Sequence, residues 1–307
     1  MADDERLDIL KKLEQGEITA AQAEEMLDGL EADTEVEAAP EADAFTDITQ
    51  WSPDGPITEL TVEGFVGRVN ARTGDQVLVV ATARARAKDE AAAREAFDKV
   101  ELTFDEEDGR ARAKADITKS IFSFFRGDKI SVDFDVTVPA DVVLKANIGT
   151  GPVRTDGVTS VRANLGQGKV ETDAADVDVN LGNGKVFSRG ARELTINGGN
   201  IRATVDDAGG LETFKFNAGN GHVDARIPDL PANADYSMHF GNGHVNVEFG
   251  RKPTNCRINV DSLAGNVQAD FPFEKEGTRM LYIDGEEKAQ IKITGAHCRV
   301  EMRLKEE

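Results

Sequence analysis

Few residues in this chain have the type and spacing for chemistry, and most of them lie inside one repeat. Gly166-Gln167-Gly168-Lys169-Val170 and Gly182-Asn183-Gly184-Lys185-Val186 each set a lysine behind a glycine-rich turn. A phosphate-binding loop needs a longer spacing and a Ser or Thr after the lysine, and neither is present. Each segment also leads into strand-like sequence, so no helix N-terminus is offered to a phosphate. His222 and His244 occupy the same slot of two neighbouring repeats, and strand stacking would bring them about 5 Å apart. Two imidazoles can share a metal, but Pro152, Lys169, Lys185, Asn200 and Asn266 fill the same slot elsewhere and no third ligand is evident. The expectation is a solvent-facing pair without metal. A calcium β-roll needs an Asp two places after its last glycine, whereas Asp224 follows Gly221 by three.

Carboxylate chemistry fares no better. A glycosidase needs two carboxylates across a cleft. Asp133 and Asp135 share a strand face without an evident partner, and Asp206-Asp207 sit in a turn-like Asp-Asp-Ala-Gly-Gly. With four His in the chain, no Ser/His/Asp or Cys/His set stands out. Cys256 and Cys298 are the only cysteines and read as reduced structural thiols. Catalytic, cofactor-binding and metal residues are therefore all assigned as none, and no cofactor is expected.

What positions these residues is a repeat running from Asn147 to Ala269. Its unit is Gly, one polar residue, then Val or Ile: Gly151-Pro152-Val153, Gly168-Lys169-Val170, Gly184-Lys185-Val186, Gly199-Asn200-Ile201, Gly221-His222-Val223, Gly243-His244-Val245 and Gly265-Asn266-Val267. The Val/Ile positions are 17, 16, 15, 22, 22 and 22 residues apart, the spacing of stacked repeats. After each Gly the chain alternates apolar and polar, the period of a strand with one buried face. Val186-Phe187-Ser188 departs from this, with Phe187 directed outward. Gly-rich turns at equivalent places coil such a strand into a parallel β-solenoid, stabilised by neighbour stacking. The seven Val/Ile side chains are expected to form one buried ladder.

Around the repeat the expected fold is mainly β with a small N-terminal α-helical hairpin. Residues 1–31 form the hairpin: Leu7, Leu10 and Leu13 share one face, Gly16 ends the first helix, and Thr19 with Gln22 caps the second. Short helices of this kind dock or self-associate. Residues 32–56 read as an acidic linker; from Leu13 to Gly67 there is no Lys or Arg. Residues 57–307 are the β-solenoid domain, with regular rungs at 147–269. Its irregular start holds strands at Ile57–Val62 and Val77–Ala83, and a degenerate rung at Gly64–Val69. A helix or insert follows at Asp89–Lys99, then a hairpin across Val100–Ile117, an apolar knot at Ile121–Phe125 and a strand at Ile130–Val138. Met280–Asp284, Ala289–Ile293 and His297–Arg303 are expected to close the far end of the stack.

Several segments resemble a known family. Val136-Thr137-Val138-Pro139-Ala140-Asp141-Val142, followed by Asn147-Ile148-Gly149-Thr150-Gly151-Pro152-Val153, resembles the bacterial "putative adhesin" β-strand-repeat domain of unknown function, as do Leu230-Pro231-Ala232 and Gln290-Ile291-Lys292-Ile293-Thr294-Gly295. The segment from Ile9 to Leu30 resembles the helical module that precedes this domain in LiaX-type proteins. The resemblance implies no catalytic residues and a link to envelope stress and antimicrobial-peptide response.

Global charge narrows the partners. The chain has 307 residues, 30% charged, with a net charge of −21. That sign is wrong for nucleic acid or anionic lipid. No apolar run is long enough to span a membrane, and Met1-Ala2-Asp3-Asp4-Glu5 lacks a signal-peptide pattern, so the default address is cytoplasmic, with an unconventional route to the surface left open. The expected function is that of a noncatalytic β-solenoid scaffold, binding a protein or cationic peptide or self-associating through the hairpin. The alternative is a carbohydrate-active β-helix enzyme, since fold alone does not exclude one.

Overall fold

The computed structural model describes residues 44–87, 89–117, 129–206 and 210–305. The helical hairpin, residues 32–43 of the acidic stretch, the apolar knot and Asp207 lie outside the described residues.

The described chain is mainly β, and its strands form one 17-stranded sheet that is not closed on itself. The regular rungs are long strands, all but the last with a glycine at the bend: β8 (Val143–Asp156), β9 (Ser160–Thr172), β10 (Asp176–Arg189), β11 (Glu193–Asp206), β12 (Thr213–Ile227), β13 (Asp235–Phe249) and β14 (Cys256–Ala269). From β8 to β13 each pairs with the next in parallel register. Alternate residues point inward, giving a core built of Val161, Ala163, Leu165 and Val170 in β9 and their register mates. The later rungs enclose larger side chains, with Phe214, Phe216, Tyr236 and Phe249 fully buried.

The first rung is split. β2 (Glu59–Val66) covers the front half of β8, and β3 (Val69–Thr73) covers the back half, so the Gly64–Val69 segment joins two strands that together pair along β8. Beyond it the stack turns irregular. β6 (Arg110–Ile117) lies parallel to β2 and forms an antiparallel hairpin with β5 (Val100–Glu107). Asp108 and Gly109, at φ of 49° and 72°, supply the hairpin turn. β7 (Lys129–Val138) lies parallel to β3 and antiparallel to β4 (Leu78–Arg86). The Asp89–Lys99 segment contains helix α1 (Glu90–Phe97), capped by the Asp89 carboxylate, which accepts from the Ala92 N–H at 2.8 Å. Inside the stretch read as acidic linker, Ala44–Trp51 forms β1, which pairs with β4. Its half-buried Phe45 packs on the small cluster of Ala85, Ala93, Ala96 and Ile130, and Trp51 stacks on Phe104 at 5.4 Å. These apolar contacts outweigh the polar composition between them.

Two sequence expectations are corrected. The first concerns the ladder. Val153, Val170, Val186, Val223 and Val245 are in register and buried, but Ile201 pairs with Gly184, and Ala203 stands opposite Val186. In β10 an inward Leu181 precedes Gly184; in β11 Gly198 takes the leucine position and Ile201 the glycine position. A Cβ on Gly198 would lie 2.6 Å from Ile201 Cδ1, so the aliphatic side chain comes from three residues farther along the strand while filling the same space.

The second concerns the end of the stack. Ala289–Ile293 and His297–Arg303 belong to a single strand, β17 (Ala289–Leu304), which does not close the stack. It inserts between β13 and β14, parallel to both. The seventh repeat is thereby displaced outward, and Val300 rather than Val267 stands against Val245. β17 offers Ile291, Ile293, Val300 and Met302 to the core, all buried, whereas β14 beyond its midpoint is mostly exposed. The strand with more apolar inward positions takes the inner place. Over the front half of β14 lies β16 (Arg279–Asp284), antiparallel to it and to the short β15 (Glu274–Glu276).

Candidate functional site

The outward side of the bend carries the most regular surface of the described residues. Register aligns Gly149, Gly166, Gly182, Gly199, Gly219 and Gly241 at the bend. A Cβ on Gly166 would sit 2.6 Å from the Gly149 carbonyl oxygen of the neighbouring rung, so the sharp bend excludes side chains there. Beyond the six glycines the position is held by Phe65 at one end and by Ala296 and then Leu263 at the other, with Phe65 and Leu263 exposed.

An asparagine column flanks the bend on each side. On the front side Asn164 donates to Asn147 at 2.7 Å, Asn180 to Asn164 at 2.9 Å, Asn197 to Asn180 at 3.2 Å and Asn217 to Asn197 at 2.9 Å. On the back side Asn200 donates to Asn183 and Asn220 to Asn200, each at 2.6 Å, and Asn242 to Asn220 at 3.0 Å. The amide is suited to this: it has two donors and two acceptor sites, so each can bond both neighbours and keep capacity toward solvent. Along the front column lies an open trough of about 480 Å³, lined by Asn164, Asn180 and Asn197 together with Leu165, Leu181, Gly166, Gly182 and Gly198. Its polar lining is neutral. The sequence showed asparagines near the glycines; only register revealed that they form continuous columns.

Farther along the back half runs a basic column: Lys169, Lys185, Arg202, His222, His244 and Arg299. Asn200, read as a member of this slot, joins the asparagine column instead, whereas Asn266 keeps the slot and follows Arg299 at the outer rung. His222 and His244 lie with ring centroids 4.9 Å apart, as stacking predicted, but both are half-buried rather than freely solvated. His222 Nε2 lies 3.0 Å from Asp224. His244 Nε2 lies 3.8 Å from Glu301 and has no hydrogen-bond partner among the described residues. Burial, and then the neighbouring imidazole, hold His244 below its ordinary pKa. Glu301 is buried at 5% exposure and receives Arg303 at 2.5 Å and Arg299 at 2.6 Å; these hydrogen bonds, Arg303 foremost, lower its pKa. Among the described residues no group of three or more His, Cys, Asp or Glu is arranged to hold a metal.

The remaining candidates are structural. Asp133 is buried, accepts the Arg68 backbone N–H at 3.0 Å and pairs with Arg68 at 3.2 Å and Arg84 at 2.8 Å. Asp135 accepts from Asn70 at 2.9 Å. Both Gly-x-Gly-Lys-Val segments lie within strands β9 and β10. Cys256 and Cys298 are buried free thiols, each pushed up to about 11 by burial, and so are poor nucleophiles.

No protein-family profile and no curated protein matches the chain. Among solved structures, a "putative adhesin" from Parabacteroides merdae is 10% identical over 85% of this chain and 96% of its own, with a TM-score of 0.43. A "putative cell adhesion protein" from Clostridium sporogenes is 14% identical over 85% of this chain and 100% of its own, at 0.30. A "putative lipid binding protein" from Parabacteroides distasonis is 12% identical over 86% and 98%, at 0.27. Similarity at this level carries no argument about function, which must rest on the chain's own geometry.

Proposed function

We propose that the chain is a noncatalytic β-solenoid scaffold that binds an extended partner along the asparagine-walled trough. The observation that carries this reading is the pair of continuous amide columns flanking one glycine bend. They present neutral donors and acceptors at one strand spacing, about 4.8 Å, which suits a ligand with its own linear repeat. A hydrolytic reading needs two carboxylates across the groove, and the trough is lined instead by asparagine, leucine and glycine. The net charge of −21 favours a cationic or neutral partner over a polyanion. A cationic amphipathic peptide is our first choice of partner, and the role in envelope stress or adhesion follows from the family resemblance.

The test is a titration of such a peptide at low and high salt, with wild type and Asn180→Trp, which fills the trough. Electrostatic attraction is screened beyond about 8 Å in physiological salt, whereas trough contacts persist. The reading holds if the salt-resistant part of the binding is lost in the variant. Binding that disappears entirely with salt, or that the variant retains in full, rules the trough out.

A further inference from the structure

We propose that the back half of β14 is the surface through which two copies of this chain join, edge to edge and antiparallel. The insertion of β17 makes β14 the outer rung of its end of the stack. Its front half, Cys256–Asp261, is covered by β16. Beyond Ser262 no strand pairs with its far side among the described residues, so a row of backbone donors and acceptors faces outward. Unpaired edges of this kind recruit strands unless they are guarded by charge, proline or a bulge.

This edge has no charged or proline guard. Ser262-Leu263-Ala264-Gly265-Asn266-Val267-Gln268-Ala269 contains no charge and no proline, in a chain that is 30% charged. Leu263 is 78% exposed, at the position where six other rungs have glycine. Val267 is only partly buried, although Val153, Val170, Val186, Val223, Val245 and Val300 of the same column are buried. The apolar column therefore ends uncovered. The opposite end of this half of the stack is β1, which lies on β4 beyond β3 and β7 and carries exposed Asp47 shortly after the acidic stretch in sequence. A head-to-tail filament would pair the neutral edge with that strand and strip water from its carboxylate. Two neutral edges meeting about a two-fold axis avoid this, and such a contact closes on itself.

Charge also selects the partner and sets a signature. Two copies at −21 each repel, and the uncharged edge is where they can approach with least repulsion. Salt screens that repulsion. The dimer should therefore tighten as salt rises, opposite to an interface held by ion pairs.

The experiment uses the full chain. Sedimentation over a range of concentrations at low and high salt should give a dimer that salt strengthens. Leu263→Asp, at a solvent-facing site, should weaken it about tenfold or more. Hydrogen exchange at residues 262–269 should slow with protein concentration in wild type and not in the variant. A chain that stays monomeric throughout overturns the proposal. So does a dimer that ignores Leu263→Asp and is protected elsewhere, such as in residues 1–31, or protection of this edge that appears only when a different protein is added.

Discussion

The asparagine columns beside the bend and the basic column behind them experience the same strand repeat and respond to it differently. An amide stacked on an amide gains a hydrogen bond at every step, so Asn147, Asn164, Asn180, Asn197 and Asn217 stabilise one another without help. A cation stacked on a cation is repelled at every step. The basic column therefore leans on the column beside it: Glu171 faces Lys169 and Arg154, Asp224 faces His222, and Glu301 faces Arg299 and Arg303. In the middle, where Phe187 and Thr204 replace the carboxylates, Arg189 lies 5.5 Å from the Phe187 ring. A neutral repeat propagates on its own, while a charged one requires a second sequence pattern in register with it.

That contrast can be broken at the feature the two share. Gly166→Ala drives a Cβ into the Gly149 carbonyl at the bend and should disturb both sides together. We expect a loss of about 3 kcal/mol or more in denaturant unfolding. Glu301→Gln attacks the charged side alone. It leaves Arg299, Arg303 and His244 without their shared carboxylate and should cost about 2 kcal/mol, the scale of hydrogen bonds to a charged group. A smaller effect is expected on the amide side: Asn180→Ala removes one donor and one acceptor from a solvent-facing column, about 1 kcal/mol, and additional loss of Asn197 should cost less than another full increment because the two share a bond.

The smallest effect sharpens the comparison through pH. His244 has its pKa lowered in the folded state, so the unfolded chain binds more protons as pH falls through the ordinary histidine value of about 6.5. Stability should decline from there down to the folded pKa and then level off with respect to this group. Glu301 has its pKa lowered too, so its contribution is intact above the ordinary carboxylate value of about 4.3 and is lost below it. Urea unfolding across this range should show two separate declines. His244→Gln should remove the upper one and Glu301→Gln reduce the lower, to which Glu171 also contributes; loss of the upper decline in Glu301→Gln would mean that the two groups titrate as one unit.

Much of the strand character was legible in the chain. Alternation after each glycine identified the inward residues Val153, Val170, Val186, Val223 and Val245, because a strand's two faces are set by a local period of two. The same reading placed His222 beside His244 and found the β5–β6 hairpin from its turn residues. It overlooked β1, whose apolar residues are spaced among polar ones, and no local pattern there reveals the contacts of Phe45 and Trp51.

Register and strand order came only from the tertiary structure. Gly199-Asn200-Ile201 matches the repeat letter for letter, yet Ile201 occupies a glycine position, because the space left by Gly198 is filled from three residues away. The sequence put Val267 next to Val245, yet β17 lies between them, because a strand later in the chain, with Val300 in place of Val267, buries more apolar surface there. The chain by itself determined which residues turn inward, since that depends on alternation within one strand. Which residue lies above which, and so the asparagine columns, the basic column and the bare edge of β14, was decided by packing among strands distant in sequence, where volume and buried area outweigh the motif.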